Sequence, residues 1–357
     1  MKKQIHSLMK LSPDPCTYAS CSSFVDNTQV GVEIELEQVR GLNNVDTDFY
    51  NYWRLTEDGS LRDNGVEFVM TRPFAGKDLE TALSIFNQYI TNNEEVKVAC
   101  SERTSVHVHI DVRDLTIEQL IRFFCVYLIF ESALFKVAGK ERENNIFCTS
   151  MQNAEGSAWK IGLLRGGKLD ARRMISGMTK YSACNLLAVS KYGSMEFRHH
   201  SGTYDTNEIS KWINILLQIR KYAVGNDIPV EDILSNISDD GAERVFNEVF
   251  GDYAHELYYP EISFDMFNGL RLAQDVIYAE LLAKGLKSYP KIKSGEDDSP
   301  FSRFYKSQDS TRYKEVGIKY IDGILGNVTP TKDDGTVVFT VDGSSVAITL
   351  SGTLNLE

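Results

Sequence analysis

The sequence predicts an α+β protein: an alternating-pattern sheet packed with helices, followed by a small β-segment at the C-terminal end. Three observations carry this reading. Gly31-Val32-Glu33-Ile34-Glu35-Leu36-Glu37, Ser105-Val106-His107-Val108-His109-Ile110-Asp111 and Ser194-Met195-Glu196-Phe197-Arg198-His199-His200-Ser201 each alternate at period 2, the mark of strands with one apolar face. Between and after them, apolar residues recur at helical spacing. Residues 329–357 are rich in Thr, Val and Gly, with Asp-Gly turns at Asp334-Gly335 and Asp342-Gly343.

In chain order, residues 1–28 read as an irregular lead-in rich in Ser, Pro and Cys, and Gln29–Val39 as the first strand. Gly41–Tyr52 reads as a loop and Trp53–Leu55 as a short strand. Glu57-Asp58-Gly59-Ser60 is a turn, because Asp-Gly favours one. Gly65–Met70 is a strand in which Glu67 stands out among apolar neighbours. Asp78–Ile90 places Leu79, Ala82, Leu83, Phe86 and Ile90 on one helical face. The strand Ser105–Val112 runs to Asp114 and Thr116, which can cap a long helix from about Ile117 to Val137. Its apolar run Phe123–Phe130 lies between Arg122 and Glu131, so it is a core helix too short to span a bilayer.

Asn144–Met151 reads as a loop or short strand. Trp159–Ser176 carries Lys160, Arg165, Lys168, Arg172 and Arg173 among glycines, and reads as a basic loop, either phosphate-facing or simply solvated. Tyr181–Val189 leads through the turn Lys191-Tyr192-Gly193 into the third strand as a hairpin. Asp205 or Thr206 caps a helix to about Tyr222, with further helices over Val230–Ile237, Ala242–Phe250 and Phe267–Leu286. The main domain therefore covers 29–286, a linker and connecting segment 287–328, and a small β-meander 329–357.

The 357 residues are enough for a large core. A net charge of -12 argues against a broad grip on nucleic acid or anionic lipid. The six cysteines are scattered without a CxxC pair, which points to reduced thiols, and the basic start is not followed by an apolar run. The expected location is the cytoplasm, with no membrane partner.

Period 2 puts Glu196, Arg198 and His200 on one face of the third strand and Met195, Phe197 and His199 on the other. On the first strand Glu33 and Glu35 share a face, roughly 6.5–7 Å apart by strand rise. Taken singly, each pattern has a bland explanation: a solvated acidic edge, a satisfied His pair, a surface Glu–Arg pair. Their joint occurrence is more specific. Clustered carboxylates repel unless cations neutralise them, which implies hard ions such as Mg2+ or Mn2+. Arg198 beside them suits a phosphate, because a guanidinium donates two parallel hydrogen bonds. Metals plus Arg over a sheet would clamp a nucleotide triphosphate, and the sequence has no GxxxxGK[ST] motif.

Several stretches together resemble the amidoligase family of carboxylate–amine ligases, relatives of glutamine synthetase and glutamate–cysteine ligase. They are Gly31-Val32-Glu33-Ile34-Glu35, Asp58-Gly59-Ser60 followed by Gly65-Val66-Glu67-Phe68-Val69, Val106-His107-Val108-His109-Ile110-Asp111, and Asn185 followed by Tyr192 to Thr203. They run in the family's order over about residues 29–224. The resemblance implies a curved, largely antiparallel sheet of the glutamine-synthetase type that binds ATP and two or three Mg2+ ions. Such enzymes phosphorylate a carboxylate and let an amine displace the phosphate, giving an amide or isopeptide bond.

By the same resemblance Glu33, Glu35, Glu67, His107 and Glu196 hold metal, and Glu196, Arg198 and Glu67 are catalytic. His109, Arg198, Glu35 and Asn185 contact the nucleotide. The donor and acceptor would be an amino acid, peptide, peptidoglycan stem or protein side chain, in a phage or bacterial setting. Two positions depart from the family pattern: Ser105 stands where Gly is common, and Ser194-Met195 where Thr-Val or Thr-Ile is common. Competing readings are a non-catalytic binding or structural protein retaining the fold, and a metal-dependent hydrolase that does not use ATP. A cupin using His107 and His109 would want a Glu a few residues on, where Glu118 falls in a helix.

Overall fold

Alternating strands with one apolar face must pair and cover that face, and here they do so in a single open sheet. In the computed structural model, which describes residues 3–13, 22–42, 45, 47–151, 158–167, 169–225, 242–259, 262–279, 329–330, 336–341 and 344–349, the chain divides into two units, Met1–Lys291 and Ile292–Glu357. The first unit holds β1 (Val30–Arg40), β2 (Trp53–Thr56), β3 (Val66–Met70), β4 (Lys97–Ala99), β5 (Ser105–Asp111), β6 (Cys184–Asn185) and β7 (Ser194–Ser201). Their order is β2-β3-β1-β5-β7-β6, with β4 beside the end of β1, and every pairing is antiparallel.

The register gathers the polar residues. One row across the sheet runs Thr56, Glu67, Glu35, and the next Arg54, Val69, Glu33, His107. A third runs Gly31, His109, Glu196, Asn185. Neighbouring strands are about 4.8 Å apart, so residues in a row are in reach of one another. The intervening residues Val30, Val32, Ile34, Phe68, Val106, Val108, Ile110 and Phe197 are buried on the opposite face.

Helices in this unit include α1 (Gly76–Phe86), α2 (Ile117–Ala138), α3 (Thr206–Gly225), α4 (Ala242–Phe250) and α5 (Ile262–Ile277). Helix α2 is apolar nearly all round, as a helix enclosed on several sides must be. Phe123 and Tyr127 lie 6.0 and 5.5 Å from the Phe197 ring of β7. On another side α5 comes so close that a Cβ at Gly269 would collide with the Leu128 carbonyl oxygen, so only glycine fits. Helix α2 starts with a capping box: Gln119 N donates to Thr116 Oγ1 (3.3 Å), and Thr116 N donates to Gln119 Oε1 (3.0 Å). Among the described residues no helix is long and apolar enough to cross a membrane.

Several expectations need correction. The lead-in contains a helical turn, Ile5–Met9, whose Ile5 and Met9 are buried. The loop expected over Gly41–Tyr52 ends in a helix, Thr47–Tyr52, because Phe49 packs into the core. The basic segment is not a loop: Trp159–Gly166 is 3-10 helical and Ala171–Ile175 is α-helical, with Asp170 capping the latter. Arg165 there pairs with Glu118 at 2.9 Å. The hairpin into β7 has a helical turn, Leu187–Lys191, in its connection. At its end Gly193 has φ 74°, and a Cβ there would run into Arg113. Helix α5 begins at Ile262 rather than Phe267. The helix expected over Val230–Ile237, Lys168, the linker from 287 and the tail's Asp-Gly turns fall outside the described residues. In the second unit, β8 (Thr329–Pro330), β9 (Thr336–Val341) and β10 (Ser344–Thr349) form an antiparallel sheet in the order β10-β9-β8.

Candidate functional site

Glu33 stands at the centre of the polar face because β1 is flanked by β3 and β5. Its Oε2 lies 3.1 Å from His107 Nδ1 and its Oε1 3.4 Å from His109 Nε2. Burial acts to raise the Glu33 carboxyl, but the two imidazoles outweigh it and hold the group well below the usual carboxylate range. His107 is further fixed by Ser105, whose Oγ is 2.8 Å from His107 Nε2 and donates to Glu35 Oε2 at 2.5 Å. The single Ser105 proton is used on Glu35, and His107 Nε2 faces the Ser105 oxygen. His107 Nδ1 is then turned toward the Glu33 carboxylate. Ser105 thus ties Glu35 to His107.

His109 is oriented by Ser194, whose Oγ is 3.0 Å from His109 Nδ1. Its other nitrogen, Nε2, is buried and has no hydrogen-bond partner of good geometry. Burial pulls the His109 pKa down, but Glu33 and Glu196 outweigh it and the net direction is upward.

Glu196, opposite His109 on β7, is gripped at both oxygens. Arg198 Nη1 donates to Oε1 at 2.5 Å and Asn185 Nδ2 donates to Oε2 at 2.6 Å. Although burial opposes it, the charges of His109, His107 and Arg198 hold the Glu196 carboxyl low. Arg198 also donates from Nε to the Phe147 carbonyl at 3.1 Å, and Asn185 Oδ1 accepts from Leu187 N at 3.0 Å. Both side chains are buried and held from two sides.

His200 does not join them. The β5–β7 register shifts, with Val108 opposite Phe197 but Val106 opposite His200, so Arg198 and His199 together face one residue of β5. This bulge interrupts the alternation. His199 and His200 both turn to the helix face, with ring centroids 5.8 and 5.6 Å from Trp212. Strict period 2 had placed His200 beside Glu196 and Arg198.

Glu67 and Glu35 face each other across β3 and β1. Glu67 accepts from Thr56 Oγ1 at 2.7 Å, yet burial and the neighbouring Glu33 charge raise its pKa. Asp58 completes this corner. Its Oδ1 accepts from Ser60 N at 2.7 Å, and despite partial burial the Ser60 bonds keep its carboxyl low. The sequence marked Asp58 as a turn residue and as part of the Asp58-Gly59-Ser60 stretch of the resemblance, without a site role; its place in the connection from β2 to β3, the strand bearing Glu67, brings it to the site. Three overlapping groups present ligand atoms within 4.8 Å of one another: Glu33, Glu67 and His107; Glu33, His109 and Glu196; Glu35, Asp58 and Glu67. Glu33, Glu35, Glu67, His107, His109, Asn185, Glu196 and Arg198 therefore share one face of one sheet, and His200 lies on the other.

This defines an α+β protein whose open antiparallel sheet carries a cluster of carboxylates and imidazoles with an arginine at its border. Residues 46–220 match the model of the family described as "Putative amidoligase enzyme", a little under half of the chain. The amidoligase resemblance read from the motifs is thus found independently, and it supports a ligase-type enzyme. The matched segment includes Asp58, Glu67, both site histidines, Asn185, Glu196 and Arg198, while Glu33 and Glu35 precede it. No curated protein matches the chain. Among solved structures, the chain is similar to a bifunctional glutathione synthetase from Pasteurella multocida at 9% identity and a TM-score of 0.36. The alignment covers 90% of this chain and 59% of that one, so this chain spans less than two thirds of that protein's length.

Proposed function

We propose that this protein is an ATP-dependent carboxylate–amine ligase, joining an acid to an amine as an amide or isopeptide through an acyl phosphate. The observation that carries the reading is the trio of overlapping ligand groups on one sheet face, centred on Glu33. The donor set suits hard divalent cations, Mg2+ or Mn2+, because it is carboxylate-rich with imidazole at its edge. The Glu67 carboxyl, raised by burial and by its Glu33 neighbour, fits a face built around positive charge.

In this reading Glu33, Glu35, Glu67, His107 and Glu196 hold the ions, with Asp58 beside Glu35 and Glu67. ATP, when bound with its metals, supplies the phosphoryl group that activates the carboxylate. Arg198, anchored on Glu196 and the Phe147 carbonyl, meets phosphate oxygens with little reorganisation, and His109 approaches them from the neighbouring strand. Asn185 orients Glu196 and so acts on the nucleotide through it. The reading assigns catalysis to residues 29–286 and takes the sheet as the curved glutamine-synthetase type. A calorimetric titration of a non-hydrolysable ATP analogue, with and without Mg2+, on the wild type and Glu196→Ala tests it. Mg2+-dependent binding that the variant loses supports the reading and justifies screening acid and amine pairs for ADP release. Absence of binding with Mg2+ sinks it.

A further inference from the structure

Beside the carboxylate cluster a pocket of about 260 Å³ opens toward β2 and β3. Glu33, His109 and Ser194 line its inner end, and Arg54 and Arg72 its outer end. A third arginine in its wall, Arg113, is engaged by Asp111 and Gln29. Arg54 and Arg72 are different. Among the described residues neither makes a hydrogen bond or ion pair, and Arg72 only lies over the Phe74 ring at 4.7 Å. In a chain of net charge -12, two guanidiniums sharing one pocket with no ion-pair partner of their own are conspicuous. Arg54 is in the cross-strand row of Val69 and Glu33, two strands from Glu33 and so on the order of 10 Å away.

We infer that this pocket seats the acyl donor, and that Arg54 and Arg72 hold a second anionic group of that donor, remote from the carboxylate that reacts. The inference rests on the ligase reading for what happens at the inner end. The chemistry of the outer end selects the ligand. Two guanidiniums repel an amine acceptor and match a planar carboxylate through paired charged hydrogen bonds. The volume is below the roughly 300–1,000 Å³ of clefts for drug-sized ligands, which suits a donor of amino-acid size rather than a nucleotide. Gly31 leaves the inner end open. A Cβ there would touch only His109, at 3.4 Å, so the fold tolerates a methyl group at this position in the pocket wall.

The test uses the full chain without nucleotide and a series of small acids as probes: succinate, glutarate and adipate against butyrate, valerate and hexanoate. Calorimetry should show at least one diacid binding about tenfold or more tighter than its mono-acid, with Arg54→Ala and Arg72→Ala each costing about tenfold. Lysine at both positions should restore part of the affinity. Gly31→Ala, whose added methyl meets only His109, should weaken diacid binding at unchanged Tm. Diacids that bind no better than mono-acids, or not at all, overturn the inference, as does a double alanine variant that binds them like the wild type. It is also overturned if the double variant instead loses the Mg2+–nucleotide analogue, because the arginines then hold nucleotide phosphate. If diacid preference survives but no nucleotide binds to the wild type, the ligase reading falls and the anion site stands.

Discussion

Two histidines on adjacent strands of one sheet, His109 of β5 and His199 of β7, are driven in opposite directions. His109 is buried among carboxylates and its pKa rises. His199 is buried among rings, 4.6 Å from Phe135 and 5.5 Å from Tyr127, and burial together with the Arg142 and His200 charges pulls it down to about 3. Its one good hydrogen bond, to Tyr127 Oη at 3.1 Å, sits in a chain in which Tyr127 donates to Glu131 at 2.5 Å. Depth is therefore not what separates chemistry from packing here. The neighbouring charges are, and the sheet face a residue occupies decides which it meets.

The strongest way to break the contrast is to remove the centre of the charged face. Glu33→Ala takes one carboxylate from two of the three ligand groups. Mg2+-dependent nucleotide binding should fall by about 10²-fold or more, measured by calorimetry. Stability should move by two opposed effects, because Glu67 is relieved of a like charge while His107 and His109 lose their carboxylate partner. Saturating Mg2+ should stabilise the wild type by about 2.7 kcal/mol at 100 times its Kd, read from urea unfolding. A chelator should reverse that gain, and Glu33→Ala should lack it.

The opposite face should answer in stability alone. His199→Ala opens a cavity among Phe135, Tyr127 and Trp212, with an expected cost of about 3 kcal/mol. Its nucleotide affinity per folded molecule should be unchanged. The pH dependence follows from the lowered pKa. Between about pH 6.5 and 3 the unfolded chain binds a proton at residue 199 that the native state refuses, so stability is present above 6.5 and falls with pH. The slope from this residue is about 1.4 kcal/mol per pH unit. Urea midpoints over pH 4–7 should therefore fall less steeply in His199→Phe than in the wild type. Equal slopes would mean that His199 is protonated in the native state.

The faces of β1, β3 and β5 were legible because a regular strand has only one way to alternate, so Glu33, Glu35, Glu67, His107 and His109 share a face as soon as their strands pair. The end of β7 was not. A bulge is set by the partner strand, and nothing in Arg198-His199-His200 announces that two residues will face one. The basic segment read as a loop because its glycines and arginines lack helical periodicity, yet Asp170 caps a helix and Glu118 of α2 supplies a partner for Arg165. Glu118 was visible in the sequence, but its proximity was not. The same holds for Ser105: a departure from a family pattern in the sequence, it becomes a link between Glu35 and His107 once β1 and β5 are paired.

The smallest expected effect sharpens the comparison most, because it perturbs both faces through the backbone they share. Thr116 lies five residues beyond Asp111, the end of β5, and its capping box with Gln119 starts the helix that covers the apolar face. Thr116→Ala removes one hydrogen-bond acceptor from the first turn and should cost about 1 kcal/mol in urea unfolding. The His107 and His109 rings are held from β1, β5 and β7, not from the helix start, since their hydrogen bonds go to Glu33, Ser105 and Ser194. Nucleotide affinity in Mg2+ should then equal that of the wild type. A loss of affinity larger than the loss of stability would show that the helix start aligns the histidine strand, and the two faces would have to be treated as one coupled element.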